Sequence, residues 1–220
     1  MGSTSNAAAG GGGDKVGLFG GSFDPIHVGH VAPVREARRR LGLDRVYFLP
    51  TAQPPHKPGR RRAPALHRFA MVELALLAEP GLLVSGHELV ERPSYTVETL
   101  EHFHAAWPGA DLHLLLGADS LAELTSWRRW QELPRLARLV VLARPGWEWA
   151  AVEPRLDPVL RAASAAGRLV TVENEPQPFS STAVREALAR GVQPPPGSVH
   201  PLVLDYARKY RLYDETIPPL

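Results

Sequence analysis

The chain has 220 residues, of which 44% are hydrophobic and 22% charged, with a formal net charge of +2. That length and apolar share can bury one sizeable core. No apolar run is long enough to span a bilayer, and so modest a net charge argues against a dedicated nucleic-acid binder. Cysteine is absent, which excludes disulfides and suits a cytoplasmic protein.

Met1 to Asp14 is rich in Gly, Ala, Ser and Asn, and it lacks the basic start and apolar stretch of a secretion signal. It reads as a disordered or cloning-derived tail, with residues 15–220 as one domain. Val16 to Phe19 is a short apolar strand. A helix follows to Leu41, with Val31, Val34 and Leu41 on its apolar side and Pro33 near its start, where a missing donor is tolerated. Arg45 to Pro50 reads as a second buried strand, and Thr51 to Ala63 as a Pro/Gly/Arg-rich loop suited to closing over a nucleotide. The spacing predicts a helix over Pro64 to Ala78 with Leu66, Phe69, Ala70, Leu74 and Leu77 inward. Leu82 to Ser85 is a third strand, and Glu88 to Tyr95 a connector. Thr96 is placed to cap a helix running to Ala106, with Val97, Leu100 and Phe103 as its stripe.

Asp111 to Leu116 is a fourth strand, followed at once by Gly117-Ala118-Asp119-Ser120 and a helix. Trp127 to Leu133 is a short aromatic helix or turn. Arg138 to Ala143 is a fifth strand, a polar helix spans Glu153 to Ala166, and Arg168 to Val172 is a sixth strand. Helices from Ser180-Ser181-Thr182 to Arg190 and from Pro201 to Tyr210 complete the chain. Strands alternating with helices predict an α/β fold: one doubly wound parallel sheet with helices on both faces and right-handed crossovers. Ligands then bind beyond the carboxyl ends of the strands, where the strand order reverses. The loops after the first and fourth strands are the candidates to share that crevice.

Two stretches carry chemistry. In Gly20-Gly21-Ser22-Phe23-Asp24-Pro25-Ile26-His27-Val28-Gly29-His30, a strand runs through a glycine turn into a helix start. Backbone N–H groups and the positive helix end gather there, which is an anion site. His27 and His30, three residues apart, share one face of the first turn and add imidazole donors for phosphate oxygens. A metal pair is the other reading of these histidines, but neither cysteine nor a third ligand at a telling spacing supports it. The second stretch is Phe179-Ser180-Ser181-Thr182-Ala183-Val184-Arg185, three hydroxyls before a helix and an arginine in its first turn. Hydroxyls, N–H groups and a guanidinium fork make a second anion cradle. The arginine runs 38–40 and 60–62 read as a solvated helix face and a loop.

The first stretch resembles the His-x-Gly-His signature of the nicotinate-mononucleotide adenylyltransferase family, a Rossmann-like nucleotidyltransferase fold. The second is similar to that family's Ser-Ser-Thr-x-Ile-Arg motif, with Val184 for isoleucine. Pro54-Pro55-His56-Lys57, Ser94-Tyr95-Thr96, Gly117-Ala118-Asp119, Trp127 and Arg144-Pro145-Gly146 match in order, and the resemblance covers Lys15 to Tyr213. It implies adenylyl transfer from ATP to nicotinate mononucleotide, giving nicotinate adenine dinucleotide and pyrophosphate. By this resemblance His27, His30 and Arg185 are catalytic, and Gly20, Gly21, Ser22, Phe23, Lys57, Ser181 and Thr182 bind ATP. Thr96, Asp119, Trp127, Arg128 and Arg144 bind the mononucleotide. Mg²⁺ is expected to arrive with ATP, without dedicated protein ligands, and neither nucleic acid nor membrane is expected as a partner. Three alternatives are a sister enzyme acting on phosphopantetheine or using CTP, preference for the amidated mononucleotide, and an RNA-binding protein using Arg60 to Arg62. The oligomeric state is not read from the sequence.

Overall fold

The computed structural model describes residues 13–52, 62–90, 92–143 and 146–214. Lys57, Arg144, most of the loop after the second strand and nearly all of the N-terminal tail lie outside the described residues. The six strands are β1 (Lys15–Gly21), β2 (Arg45–Pro50), β3 (Leu82–Val84), β4 (Asp111–Gly117), β5 (Arg138–Ala143) and β6 (Leu169–Glu173). All pair in parallel, in the order β3-β2-β1-β4-β5-β6. The order reverses between β1 and β4, where Leu18 stands beside Leu114.

The helices are α1 (Val28–Leu41), α2 (Ala65–Leu76), α3 (Thr96–Ala106), α4 (Ala118–Ala122), α5 (Leu133–Leu136), α6 (Trp149–Val152), α7 (Pro158–Ala165), α8 (Ser181–Ala189) and α9 (Pro201–Lys209). They cover both faces of the sheet, as parallel strands require. Val46, Phe48, Leu115, Val140 and Val172 pack with buried residues of α1, α2, α8 and α9. Leu18, Leu114, Leu116, Leu139 and Val141 pack with those of α3, α4, α5 and α7. The alternation of Leu114, Leu115 and Leu116 between the two clusters is the period-two pleat of one buried strand.

Three local readings need correction. In α2 the buried stripe is Arg68, Met71, Val72 and Leu76, whereas Leu66 and Leu77 are 73% and 67% exposed. The helix is turned about its axis from the expected phase, with Arg68 pointing inward. The polar helix over 153–166 is broken: a 3-10 turn, Glu153–Arg155, continues from α6, and α7 begins only at Pro158, capped by Asp157. Pro154 and Pro158 lack the N–H that would continue one helix through both positions. Thr96 does not cap α3; Tyr95 holds that position, without a side-chain capping bond, and Thr96 is the first helical residue.

The Arg38-Arg39-Arg40 run lies in the last turn of α1, where positive charge complements the helix dipole. Arg39 and Arg40 pair with Glu36, and these two guanidiniums lower its carboxyl pKa to about 2.

Candidate active site

The turn after β1 is shaped by packing. Neither Gly20 nor Gly21 has positive φ; that conformation falls to Phe23, at φ 45°. Backbone freedom, which a glycine turn after a strand suggests, is therefore not what Gly20 and Gly21 supply. A side chain at Gly21 would come within 2.8 Å of the Phe23 ring, while one at Gly20 would meet nothing within 4 Å. Gly21 therefore makes room for Phe23, and Gly20 leaves the floor of the crevice bare. Phe23 is held in its strained conformation by Phe19, Phe48 and His30, whose ring centroids lie 5.2–5.6 Å away.

His27 is the residue before α1, with extended backbone at φ −147° and ψ 172°. Its Nδ1 accepts the Gly29 N–H at 3.1 Å, and His30 Nδ1 accepts the His27 N–H at 3.2 Å. Two orphan donors of the helix start are satisfied reciprocally, in a capping box built from imidazoles. Both Nδ1 atoms act as acceptors, so each neutral ring carries its proton on Nε2. The rings lie close, with centroids 3.8 Å apart and planes tilted by 40°. The imidazoles thus fix the helix end and present a defined tautomer together.

A cavity of about 350 Å³ opens at the carboxyl ends of β1 and β4, at the switch point. Gly20, Gly21, Ser22, Phe23 and His30 line one side, and Thr96, Trp127 and Arg128 the other. Eight of the expected site residues therefore face one space. The Arg128 guanidinium lies 4.6 Å from the Tyr95 ring centroid and 3.4 Å from the Glu98 carboxylate. Asp119, exposed on α4, is outside this lining.

His27, 8% exposed, is outside the lining as well, and so are Arg185, Ser181 and Thr182, which join the same turn from behind. Ser180 caps α8 by accepting the Ala183 N–H at 3.2 Å. Ser181 Oγ donates to the Pro25 carbonyl at 3.0 Å, and Arg185 Nη1 to the Asp24 carbonyl at 2.6 Å. Arg185 Nη2 donates to Thr182 Oγ1 at 3.1 Å. The starts of α1 and α8 are therefore tied together through the carbonyls of Asp24 and Pro25.

Sequence reasoning passed over three residues around this turn. Arg68 is 1% exposed and donates to the carbonyls of Ser22, Ala52 and Ala63 at 2.6, 3.4 and 2.9 Å. It ties the turn to both ends of the loop after β2, and burial pushes its guanidinium pKa down. Its signal was the spacing 68, 71, 72, 76, visible only if an arginine is allowed in an apolar stripe. Tyr213 donates to Asp24 Oδ1 at 3.0 Å, with burial holding its phenol well above its usual pKa. Glu88, 7% exposed, accepts from the hydroxyls of Thr51, Ser94 and Thr99. Among the described residues, no three His, Cys, Asp or Glu side chains gather into a metal-ligating group, and no helix is long and apolar enough to cross a membrane.

A parallel sheet in this order, with a glycine turn and histidine-capped helix at its switch point and an arginine cradle behind, defines a nucleotide-binding α/β protein of the nucleotidyltransferase type. A family model described as Cytidylyltransferase-like matches residues 18–187. A probable nicotinate-nucleotide adenylyltransferase of Solibacter usitatus is 40% identical, with 91% of this chain and all of that protein aligned. One from Laribacter hongkongensis is 41% identical over 92% of this chain and 96% of its own length. Among solved structures, Plasmodium falciparum nicotinic acid mononucleotide adenylyltransferase complexed with NaAD is similar in fold. Its TM-score is 0.70 at 18% identity, covering 91% of this chain and 97% of that one. The chain belongs to the cytidylyltransferase-like family, alongside the nicotinate-nucleotide adenylyltransferases.

Proposed function

We propose that this protein transfers the adenylyl group of ATP to nicotinate mononucleotide in the cytoplasm. A phosphate oxygen of the mononucleotide attacks the α-phosphorus of ATP. The bond from that phosphorus to the bridging oxygen breaks, and pyrophosphate leaves with the electron pair. The products are nicotinate adenine dinucleotide and pyrophosphate. The observation that carries the reading is the single cavity shared by the β1 turn and the wall of Thr96, Trp127 and Arg128. One wall suits phosphates and the other a flat aromatic carboxylate. The names of the curated relatives agree with it.

The chemistry asks the protein for alignment and charge stabilisation, without a covalent intermediate. In this reading the Nε2–H groups of His27 and His30 donate to the α- and β/γ-phosphate oxygens, where charge grows. Arg185, Ser181 and Thr182 hold the departing pyrophosphate; the guanidinium has five donors, so its bonds to Asp24 and Thr182 leave capacity for an anion. Gly20, Gly21, Ser22 and Phe23 allow ATP to approach the backbone, and Lys57 adds positive charge near the phosphates. Trp127 stacks on the pyridine ring, while Thr96 Oγ1 and the Arg128 N–H meet its carboxylate. Asp119 binds the ribose, and Arg144 also contacts the mononucleotide. Mg²⁺ carried by ATP would neutralise phosphate charge there, without dedicated protein ligands.

The test is pyrophosphate release from MgATP with nicotinate mononucleotide or nicotinamide mononucleotide as acceptor. Release with the acid and much less with the amide is expected, because a pocket built to hydrogen-bond a carboxylate rejects the amide strongly. Release with neither acceptor overturns the substrate assignment and directs the search to phosphopantetheine and CTP.

A further inference from the structure

Glu88 takes part in none of the steps above. It lies in the connector between β3 and α3 and lines the same cavity as Tyr95, Thr96 and Trp127. Its Oε2 accepts from the hydroxyls of Thr51 at 2.8 Å and Ser94 at 3.3 Å, and its Oε1 from Thr99 at 2.8 Å. All three donors are neutral. Among the described residues, no arginine, lysine or histidine forms an ion pair with this carboxylate. Buried carboxylates are ordinarily met by a cation, because the charge is costly to remove from water. Glu123, the other acid in the lining, is exposed, so water screens it. Among the described residues, Glu88 is the buried carboxylate of the cavity lining.

A pyridine mononucleotide carries the matching charge. Its ring nitrogen is bonded to ribose, so the ring is a permanent pyridinium whatever stands at the neighbouring acid or amide position. Ser94 and Thr99 flank Thr96 in sequence and hold the Glu88 carboxylate against the first turn of α3. That places it beside Thr96, in the cavity that Trp127 also lines. An indole face accepts a flat ring of either charge, whereas a buried carboxylate distinguishes them. We infer that Glu88 is a specificity-determining residue: its carboxylate faces the cationic ring and selects the oxidised pyridinium over the uncharged dihydropyridine. The inference rests on the mononucleotide substrate proposed above.

The experiment compares kcat/KM for nicotinate mononucleotide and its 1,4-dihydro form, which keeps the carboxylate, ribose and phosphate but has an uncharged ring. Wild type, Glu88→Gln and Thr99→Val are measured side by side. Gln keeps the size and an acceptor oxygen but removes the charge. The cationic-to-neutral ratio should fall about tenfold in Glu88→Gln, the scale of one charge several ångströms away in partly screened surroundings. Thr99→Val removes one hydroxyl bond and keeps the charge, so it should slow both acceptors alike at the wild-type ratio. Equal losses for both rings in Glu88→Gln, or the same fall in ratio in Thr99→Val, would reduce Glu88 to a tie between loops and overturn the inference. Should Glu88→Gln not fold, wild type using the neutral ring as well as the cationic one overturns it without a variant. Wild type using no pyridine mononucleotide removes the substrate reading and this inference together, whereas an unchanged ratio removes only the inference.

Discussion

Replacing His30 separates two roles that the structure gives one side chain. Its Nδ1 accepts the His27 N–H at 3.2 Å and closes the capping box of α1. Its Nε2–H is the donor proposed for the phosphates. His30→Ala removes both. Loss of the cap should cost about 1 kcal/mol of stability. Loss of a donor aimed at growing charge should lower turnover by about 10²–10³. His30→Glu separates the roles. A glutamate at this position rebuilds the box and suits the positive helix end, but it places a carboxylate where ATP brings its phosphates. Its stability should match or exceed wild type while activity is lost. Urea unfolding reads the first effect, and pyrophosphate release under saturating MgATP the second. His30→Ala turning over within a few-fold of wild type would remove His30 from the mechanism. His30→Glu as unstable as His30→Ala would refute the capping argument.

Arg68→Met should cost about 3 kcal/mol or more in urea unfolding, because it leaves three backbone carbonyls without their donor and removes one of the two cations near Asp24, the other being Arg185. His113 is 1% exposed, and burial pushes its imidazole pKa down. The unfolded chain then binds the extra proton more readily, so the native state keeps this contribution above pH about 6.5 and loses it as pH falls toward the depressed value. Melting temperature should decline below that pH in wild type and more shallowly in His113→Asn. Arg211 has φ 50° just after α9, a conformation that favours glycine at helix ends. Arg211→Gly should raise stability by about 0.5 kcal/mol in urea unfolding even though it loses the exposed pair with Asp214.

Much of the fold was legible because its information is local. Apolar runs such as Leu112 to Leu116 mark strands buried on both faces, and alternation with helices implies a parallel sheet. The two helix-start motifs were legible for the same reason: a glycine turn or hydroxyl cap beside a helix start is written in consecutive residues, and the resemblance supplied the roles proposed for them. Even there, only the structure assigned the strained conformation to Phe23 and the capping to both histidines, because both depend on which rings pack together.

The sequence by itself determined the class of fold, the strand boundaries to within a residue or two, and the motifs at the two helix starts, all set by short-range propensity and periodicity. The tertiary structure decided the phase of α2, the burial of Arg68, the tie from Tyr213 to Asp24 and the hydroxyl-held charge of Glu88. Each joins residues distant in sequence, or places a charge where a one-dimensional pattern expects an apolar side chain. Burial of such a charge is tolerated only when carbonyls or hydroxyls from other segments converge on it, and that convergence exists only once the chain is folded.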